Sequence, residues 1–382
     1  MDIQAMRLRM LKRMLFPPEV CVTKGSIERL GCLDPARVLV VCGGSARRNG
    51  ALEIVKAQLK SATAVEIIEL PTGEPTASTI EKSRAQVTAF GPKWIVALGG
   101  GAVMDAAKFI WALYEYPNLD VSGATAVAVG PLRSKAQLIA IPTTAGSGSE
   151  ASQAAVLVGK DGTKIPYVSQ HWIPDIVILD PSLTVTLSRE MTRASGFDAL
   201  THAVESATSS LANPFTRFLA ASAIGLVFRH LPTAVESPEN LGAREGMLEA
   251  AFTAGLCQST TSTGSAHALS HAASKLHSAS HGAATGFFLL PAMKWNVTKN
   301  PAVYDEIAAG CGLRNGAALV AAVEDLASRA GVPSNFMELL GRTLSTVEQQ
   351  ALADVAAKDV CVRTNACRMA APDLAQLVAG IG

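Results

Sequence analysis

Short apolar, β-branched runs alternate with helical patterns through the first half of this chain. Such runs predict five strands, at residues 37–42, 65–70, 94–98, 137–142 and 175–180. Residues 76–90 follow a helical pattern, and turns rich in glycine, threonine and serine follow several strands. This alternation is typical of a parallel sheet with helices on both faces, in which ligands bind at the carboxyl ends of the strands. We therefore expect an α/β domain with a Rossmann-like parallel sheet.

The pattern changes after Asp180-Pro181, where strand-like runs stop and alanine-rich helical patterns continue to the end of the chain. Proline-containing breaks in these patterns are predicted at residues 213–214, at 231–233 and around Pro333. The two halves predict an α/β nucleotide-binding domain and an all-helical domain, with bounds of 1–183 and 184–382.

Composition limits the classes of protein to which the chain can belong. With 382 residues and 49% hydrophobic content, it can form two domains with separate cores. A net charge of +1 and the lack of a basic tract argue against a nucleic-acid partner. The apolar run from Phe218 to Phe228 is shorter than the roughly 18 residues of a membrane span, which predicts a buried core helix and no membrane association.

Cysteine usage and the N-terminus bear on location. The seven cysteines show no C-x-x-C pairing, which fits reduced thiols and predicts a cytoplasmic protein. The basic, methionine-rich stretch over residues 1–18 lacks the uninterrupted apolar segment of a secretory signal, so we interpret it as a mobile or surface-packed leader.

Two clusters of polar residues in the second half have metal-ligand spacing. Asp198 and His202 are four residues apart, so a helix would place both on one face. A second segment holds four histidines, and two of them, His267 and His281, would complete a ligand set if its helix packs across the first. Three imidazoles and one carboxylate suit Fe²⁺, Zn²⁺, Mn²⁺ or Ni²⁺. Glu205, one turn beyond His202, is interpreted as a residue that orients His202 or closes a helix contact.

Two turns in the first half have the composition of a phosphate site. The string G-G-G-A-V-M-D-A-A-K at residues 99–108 opens a helix after an apolar strand, where glycines allow close backbone approach and helix N–H groups attract anions. Asp105 could fix this turn. A second loop, at 142–150, is rich in hydroxyl groups that could hold phosphate and the nicotinamide amide.

These motifs together resemble those of the iron-dependent (group III) alcohol dehydrogenases, whose two-domain architecture is also that of dehydroquinate synthase. The family's glycine string resembles residues 99–108, with Ala102 in place of serine, and its P-T-T-x-G-T-G-S-E string resembles 142–150, with Ser147 in place of threonine. Its G-x-D-A-x-x-H-x-x-E and H-x-x-x-H-x₉-H-G strings resemble the two remaining segments, at 196–205 and 267–282.

The resemblance implies roles for individual residues. The metal ligands would be Asp198, His202, His267 and His281. His271 would lie beside the nicotinamide as the candidate catalytic proton relay. The pyrophosphate region would be held by Gly99, Gly100, Gly101 and Asp105, with Thr143, Thr144 and Ser147 nearby. Cys361 matches a cysteine near the cleft of some members, but the family's Asn-Pro-Arg is here Asn365-Ala366-Cys367-Arg368. His277 is interpreted as a residue on the helix surface or as one that supports the metal ligands from behind.

The resemblance also implies a reaction and a cofactor. The expected activity is metal-dependent interconversion of an alcohol and an aldehyde or ketone, working as an aldehyde reductase, with Fe²⁺ or alternatively Zn²⁺. NAD-preferring relatives place an aspartate where this chain has Gly43. The turn Gly43-Gly44-Ser45, followed by Arg47 and Arg48, resembles NADPH-dependent aldehyde reductases and butanol dehydrogenases and predicts NADP(H) over NAD(H).

Other interpretations stay open at this point. A dehydroquinate synthase-like lyase would use NAD transiently, but would need a cleft rich in lysine and arginine, whereas the ligand-bearing segments offer only Lys275. A non-catalytic metal or nucleotide binder, or a relative specific for a polyol, hydroxy acid or maleylacetate, are the others. The expected partners are a small alcohol or aldehyde and further copies of this chain, in a homodimer or higher homo-oligomer, with apolar positions in residues 6–15 supplying contact surface.

Overall fold

A computed structural model describes residues 14–121, 129–159, 162 and 164–381. The chain divides into two compact units with a boundary between Leu187 and Ser188, where the sequence predicted a boundary between 183 and 184. The leader residues 6–13, which the sequence proposed as contact surface, lie outside the described residues.

The first unit contains a six-stranded parallel sheet in the order β1-β8-β5-β4-β2-β3 and a separate antiparallel pair, β6–β7. The strands are β1 Glu19–Val22, β2 Arg37–Gly43, β3 Ala64–Leu70, β4 Trp94–Gly99, β5 Gln137–Pro142, β6 Ala154–Val158, β7 Lys164–Val168 and β8 Ile176–Leu179. All five predicted strands are present, and the predicted parallel α/β sheet is confirmed. The short β1 and the β6–β7 pair were not predicted.

Helices connect the strands of this first unit. They are α1 Gly44–Arg48, α2 Ala51–Gln58, α3 Ala77–Lys82, α4 Arg84–Phe90 and α5 Gly101–Glu115, together with 3₁₀ turns at Ser26–Cys32, Ser149–Ala151, Gln170–Trp172 and Pro181–Leu183. The predicted helical segment over 76–90 is thus two short helices that meet at Ser83. The central strands are buried on both faces because helices cover the sheet, and the core around β2, β4 and β5 consists of valine, leucine and isoleucine.

The second unit is helical throughout the residues that the structure describes, as predicted. Its helices are α6 Arg189–Thr208, α7 Pro214–Glu236, α8 Leu241–Thr261, α9 Ser265–His277, α10 His281–Lys299, α11 Pro301–Gly310, α12 Gly316–Ala330, α13 Phe336–Leu340, α14 Thr346–Ala356 and α15 Ala371–Ala379, with a 3₁₀ turn at Val360–Thr364. The predicted break at Asn213-Pro214 is the start of α7, where the Asn213 side chain caps the helix. The break before Pro333 is also confirmed, because α12 ends at Ala330 and Gly331 adopts a left-handed conformation.

The predicted break at 231–233 is wrong, because α7 continues through Pro232 to Glu236. Proline removes one backbone donor, but the helix is held in place by packing of the fully buried Leu231 and Ala234 on either side. Within the described residues, α7 is the one helix long and apolar enough to span a membrane, with a mean hydropathy of 1.4. Core helices of soluble proteins pass the same test, so one such helix does not indicate a membrane span. The predicted burial of its apolar run holds for Ile224 and Val227 but fails for Phe218, which is 73% exposed.

Candidate functional site: a metal centre and a nucleotide site

Close helix packing in the second unit builds the candidate metal centre. A Cβ on Gly286 of α10 would stand 2.8 Å from the Phe197 Cβ of α6, and one on Gly282 would stand 2.9 Å from the Ala194 carbonyl oxygen. Glycine at these two positions therefore lets α10 lie directly against α6, next to Asp198. The small residues around the predicted ligands accordingly reflect tightly packed helices.

The four predicted ligands come together from three helices. Asp198 and His202 lie on α6, His267 lies on α9, and His281 is the first residue of α10. The Nε2 atoms of His267 and His202 are 3.0 Å apart. Asp198 Oδ1 lies 3.7 Å from Nε2 of both His267 and His281. This juxtaposition, which the family resemblance implied, spans more than 80 residues of chain.

These separations fit a cation held between the side chains. Two donor atoms, each about 2.1 Å from a tetrahedrally bound ion, stand roughly 3.4 Å apart, which lies between the two measured separations. Asp198 Oδ1 is buried and has no hydrogen-bond partner among the described residues. An acceptor with no donor, surrounded by imidazole nitrogens, is what a metal ligand leaves in a structure without the ion. The residues present therefore fit a divalent first-row metal.

The electrostatics of the cluster also favour a bound cation. Burial would raise the pKa of Asp198, but neighbouring His202, His267 and His281 outweigh burial and lower that pKa. Burial would likewise lower the pKa of His267, but Glu205 and Asp198 raise it to about 9. Two carboxylates buried among imidazoles attract positive charge, as a proton or as a metal ion.

Exposure differs sharply across the cluster. Asp198, His202 and His267 are at most 5% exposed, whereas the His281 side chain is 29% exposed. Three of the four predicted ligands are therefore shielded from solvent, and His281 is partly exposed to it.

Two further side chains orient the histidines. Glu205 accepts a bond from His267 Nδ1 at 2.6 Å and also contacts the start of α9. It therefore closes a helix contact, as predicted, but orients His267 and not His202. Ser270 lies 3.3 Å from His281 Nδ1 through its hydroxyl, which also donates to the His281 carbonyl oxygen. Sequence reasoning missed Ser270, although it is one turn from His267 on the ligand-bearing helix.

His271 lies beside this cluster, with its ring stacked on His281 at 5.4 Å between centroids. Its Nδ1 is 2.8 Å from Asp359 Oδ2, a partner that sequence reasoning did not identify. Burial would raise the pKa of Asp359, but the bond from His271 lowers it. Cys361 lies near this pair, and burial raises the pKa of its thiol well above the ordinary value. His277 lies at the end of α9 and contacts Arg342, in accord with a surface role.

The family string departs from its usual form at residues 365–368, and the structure shows what Asn365 does there. The Asn365 side-chain oxygen accepts a bond from the Ser265 N–H at the start of α9, and its amide donates to Asn296. Cys367 stands where the family's string has arginine, and its sulfur lies 3.1 Å from Asn296 Oδ1. All seven cysteines are free, as the spacing predicted.

The first unit brings most of the predicted nucleotide-binding residues to one edge of the sheet. Strands β4 and β5 are paired with Gly99 opposite Pro142, so their following loops emerge side by side. A Cβ on Gly100 would lie 3.1 Å from Thr144 Oγ1, and one on Gly101 would lie 2.8 Å from Ser147 Oγ. The glycines are therefore required for close approach of the two loops, and the N-terminus of α5 opens at the same edge.

The first glycine turn stands beside these loops. Gly43 ends β2, next to β4, and a Cβ built on it would lie 3.5 Å from Val103 of α5. Gly44 and Ser45 begin α1, which ends with two arginines. Thr143 is buried and donates its N–H to the Gly99 carbonyl oxygen.

Asp105 bonds to the end of the second loop and to β6. Its two carboxylate oxygens accept bonds from Ser149 Oγ at 2.5 Å and from the Val156 N–H at 3.0 Å. Lys108, one turn further along α5, donates to the carbonyl oxygens of the same segment, those of Ser149, Ser152 and Ala154. Asp105 therefore fixes the end of the second loop and β6, whereas the sequence suggested that it fixes the glycine turn at 99–101, and Lys108 is a buried cation that holds the same segment.

Models of known protein families match nearly the whole chain. Residues 17–181 match the family model described as iron-containing alcohol dehydrogenase, and residues 192–381 match its C-terminal domain model.

Individual relatives cover most of the chain. It is 32% identical over 338 residues to an NADPH-dependent butanol dehydrogenase of Clostridium saccharobutylicum, covering 86% of this chain and 87% of that protein. It is 36% identical over 306 residues to an alcohol dehydrogenase of Thermococcus barophilus, covering 78% and 80%. The solved structure of an iron-containing alcohol dehydrogenase from Thermococcus thioreducens superposes with a TM-score of 0.88 at 31% identity, covering 97% and 99%.

Proposed function

This chain belongs to the iron-containing alcohol dehydrogenase family, whose members interconvert alcohols and aldehydes with a nicotinamide cofactor, and on that premise we propose that it is an NADP(H)-preferring aldehyde reductase. The observation that carries the proposal is the convergence of His267 and His281 on a buried Asp198 oxygen that has no hydrogen-bond partner among the described residues, with His202 Nε2 3.0 Å from His267 Nε2. Asp198, His202, His267 and His281 would hold the metal, with Fe²⁺ as the family expectation and Zn²⁺ as its competitor. The family match does not favour the lyase or the non-catalytic binder.

When bound, the metal supplies Lewis acidity towards the substrate oxygen, and the nicotinamide supplies or accepts the hydride. The protein contributes three ligands shielded from solvent and one, His281, that is partly exposed, so we expect substrate to approach from the side of His281. It also contributes a proton route. Asp359 accepts the Nδ1–H of His271, which leaves Nε2 to exchange a proton with the substrate or with solvent. The side chain of His271 is 23% exposed, which allows that exchange.

The preference for NADP(H) is argued from the first glycine turn. Gly43 adopts an ordinary extended conformation, with φ −93° and ψ 162°, so it is not there for backbone strain. Its lack of a carboxylate leaves the turn without the repulsion that rejects a 2′-phosphate. Arg48 stands against the turn, with its guanidinium 2.9 Å from a Cβ built on Gly44. The NADPH-dependent butanol dehydrogenase among the relatives supports the same choice.

One acidic side chain limits the positive charge at this turn. Glu69, at the end of β3, pairs with Arg47 at 2.8 Å, and both side chains are largely exposed. An exposed ion pair contributes little stability, so a phosphate dianion can draw Arg47 away from Glu69. We therefore expect the preference for NADP(H) to be moderate and to increase in Glu69→Gln.

The test compares catalytic efficiency with NADPH and NADH over a panel of small aldehydes, with Fe²⁺ and with Zn²⁺. Gly43→Asp should shift the preference towards NADH by roughly tenfold or more, since a carboxylate facing a phosphate costs more than about 1.4 kcal/mol. The substitution is sterically tolerable because a Cβ there meets Val103 at 3.5 Å, an ordinary contact. Gly43→Asn has nearly the same shape without charge and is the matched control. Equal efficiency with both cofactors in the wild type, or equal shifts in both variants, would refute the proposal.

A further inference from the structure

Glu205 occupies an unusual place in this fold. It lies on α6, one turn beyond His202, and is 5% exposed. Its carboxylate receives three hydrogen bonds, all from the start of α9. Oε2 accepts from the Gly264 N–H at 2.8 Å and lies 2.6 Å from His267 Nδ1, and Oε1 accepts from the Ala266 N–H at 2.7 Å.

The surrounding residues leave little freedom for this arrangement. A Cβ on Gly264 would stand 2.8 Å from Glu205 Oε1 and 2.8 Å from Asn365 Oδ1, so only glycine leaves room for both side chains. Two residues earlier, Ser262 adopts a left-handed φ of 59°, which turns the chain sharply between α8 and α9. The carboxylate also lies at the N-terminus of α9, where the helix dipole favours a negative charge. The glycine at 264, the backbone turn at Ser262 and the dipole of α9 all favour this position of the Glu205 carboxylate.

Hydrogen-bond chemistry then fixes the orientation of His267. An ionised carboxylate only accepts, so the atom of His267 that faces Glu205, Nδ1, must donate. The remaining ring nitrogen, Nε2, points at Asp198 and His202 with distances of 3.7 and 3.0 Å. A hydrogen bond from one ring nitrogen to a buried carboxylate fixes the orientation of a histidine and makes its other ring nitrogen a stronger metal ligand.

We propose that Glu205 is a positioning residue for the metal centre: it holds His267 with a proton on Nδ1, so that Nε2 faces the cation, and it joins that orientation to the start of α9. This inference rests on the proposed metal-ligand set. Because one carboxylate bonds both the histidine ring and the helix N-terminus, loss of the charge releases both together.

The test measures Zn²⁺ affinity of the full chain by competition with a chelating dye, which needs no turnover. Glu205→Gln keeps the size of the side chain but places an NH₂ group against N–H donors. We expect Zn²⁺ to bind roughly 10- to 100-fold more weakly. Glu190→Gln, the same substitution on the exposed first turn of α6, is the matched control and should bind Zn²⁺ as the wild type does.

A double substitution separates positioning from general loss of structure. If Glu205 acts through His267, then Glu205→Gln should add little further loss of Zn²⁺ affinity once His267→Ala is present. Additive losses would overturn the proposal, because they would mean that Glu205 acts independently of His267. If His267→Ala lowers affinity and Glu205→Gln leaves it within about twofold, the proposal fails while the ligand set stands; if neither variant changes affinity, the ligand set itself fails.

A measurement on the wild type keeps the proposal falsifiable should Glu205→Gln not fold. Nitrogen-15 spectra of histidine-labelled, Zn²⁺-loaded protein report which ring nitrogen carries a proton. The proposal requires a protonated Nδ1 on His267, assigned by the signal missing from His267→Ala. An unprotonated Nδ1 at this residue would overturn it.

Discussion

Lys108 offers the sharpest test of how the first unit is held together. Its side chain is 1% exposed, and its ammonium donates to the carbonyl oxygens of Ser149, Ser152 and Ala154 at 2.7, 2.8 and 2.7 Å. These carbonyls belong to the end of the hydroxyl-rich loop and to the segment that follows it. Lys108→Met keeps most of the side-chain volume but removes all three donated bonds.

The expected loss of stability is a balance of two effects. Each bond from the charged ammonium to a carbonyl oxygen contributes about 2 kcal/mol, or about 6 kcal/mol for the three, while Ser152 still donates to the carbonyl oxygens of Ser149 and Ala154. Burial opposes the charged form and lowers the pKa of Lys108 from 10.5 to about 8, although Asp105 and Glu150 act to raise it. At about 1.4 kcal/mol per pKa unit, that burial costs about 3 kcal/mol, which methionine does not incur. We therefore expect Lys108→Met to lower the free energy of unfolding by about 3 kcal/mol.

Urea unfolding followed by tryptophan fluorescence can measure this difference. Trp94, Trp111 and Trp172 lie in the first unit and only Trp295 lies in the second, so the signal reports mainly the first unit. Lys60→Met, which removes an exposed lysine before β3, is the control and should leave the midpoint unchanged.

The lowered pKa of Lys108 also predicts how the stability difference between wild type and Lys108→Met changes with pH. Between pH 8 and 10.5, folded Lys108 has lost its proton while the unfolded chain still binds it, so wild-type stability rises with pH relative to Lys108→Met. A loss below about 1 kcal/mol, or a difference between the two proteins that narrows above pH 8, would refute the account of Lys108 as a buried, carbonyl-bound cation.

Three further predictions follow from the same structure. Burial raises the pKa of Glu150 from 4.5 to about 7, so its contribution to stability is present below pH 4.5 and is lost as pH rises through 7. Glu150→Gln should remove this pH-dependent loss, which is worth up to about 3 kcal/mol. Unfolding curves at pH 5 and pH 8 that shift equally in both proteins would contradict this prediction. Gly286→Ala places a methyl group 2.8 Å from the Phe197 Cβ and should push α10 away from α6, lowering stability by about 1–3 kcal/mol and weakening Zn²⁺ binding. Gly225→Ala, where a Cβ meets nothing within 4 Å, is the control. Equal melting temperatures of the two variants would count against the packing argument. We also propose that the chain self-associates, so light scattering at micromolar concentration should give a mass well above 39.7 kDa, and a clean monomer would refute this.

Local patterns in the sequence were enough to predict the elements and the chemistry that each one carries. Alternating and continuous apolar runs predicted five strands because a buried parallel strand needs apolar residues on both faces. The spacing of Asp198 and His202 placed both on one helix face because an α-helix repeats every 3.6 residues. The glycine turns after β2 and β4 marked the edge at which β4 and β5 end together, because parallel strands share that edge.

What depends on contact between distant elements could not be predicted. The partners of the two central histidines, Glu205 for His267 and Asp359 for His271, lie 62 and 88 residues away, and no periodicity links such positions. The sequence placed Glu205 near the site but associated it with His202, its neighbour on the helix, since local spacing reports only neighbours along one element. Pro232 was misjudged for the same reason: its local cost was visible in the sequence, but the packing of Leu231 that sustains the helix was not. Tertiary packing alone decides which donor meets which acceptor, because that choice depends on how whole helices approach one another.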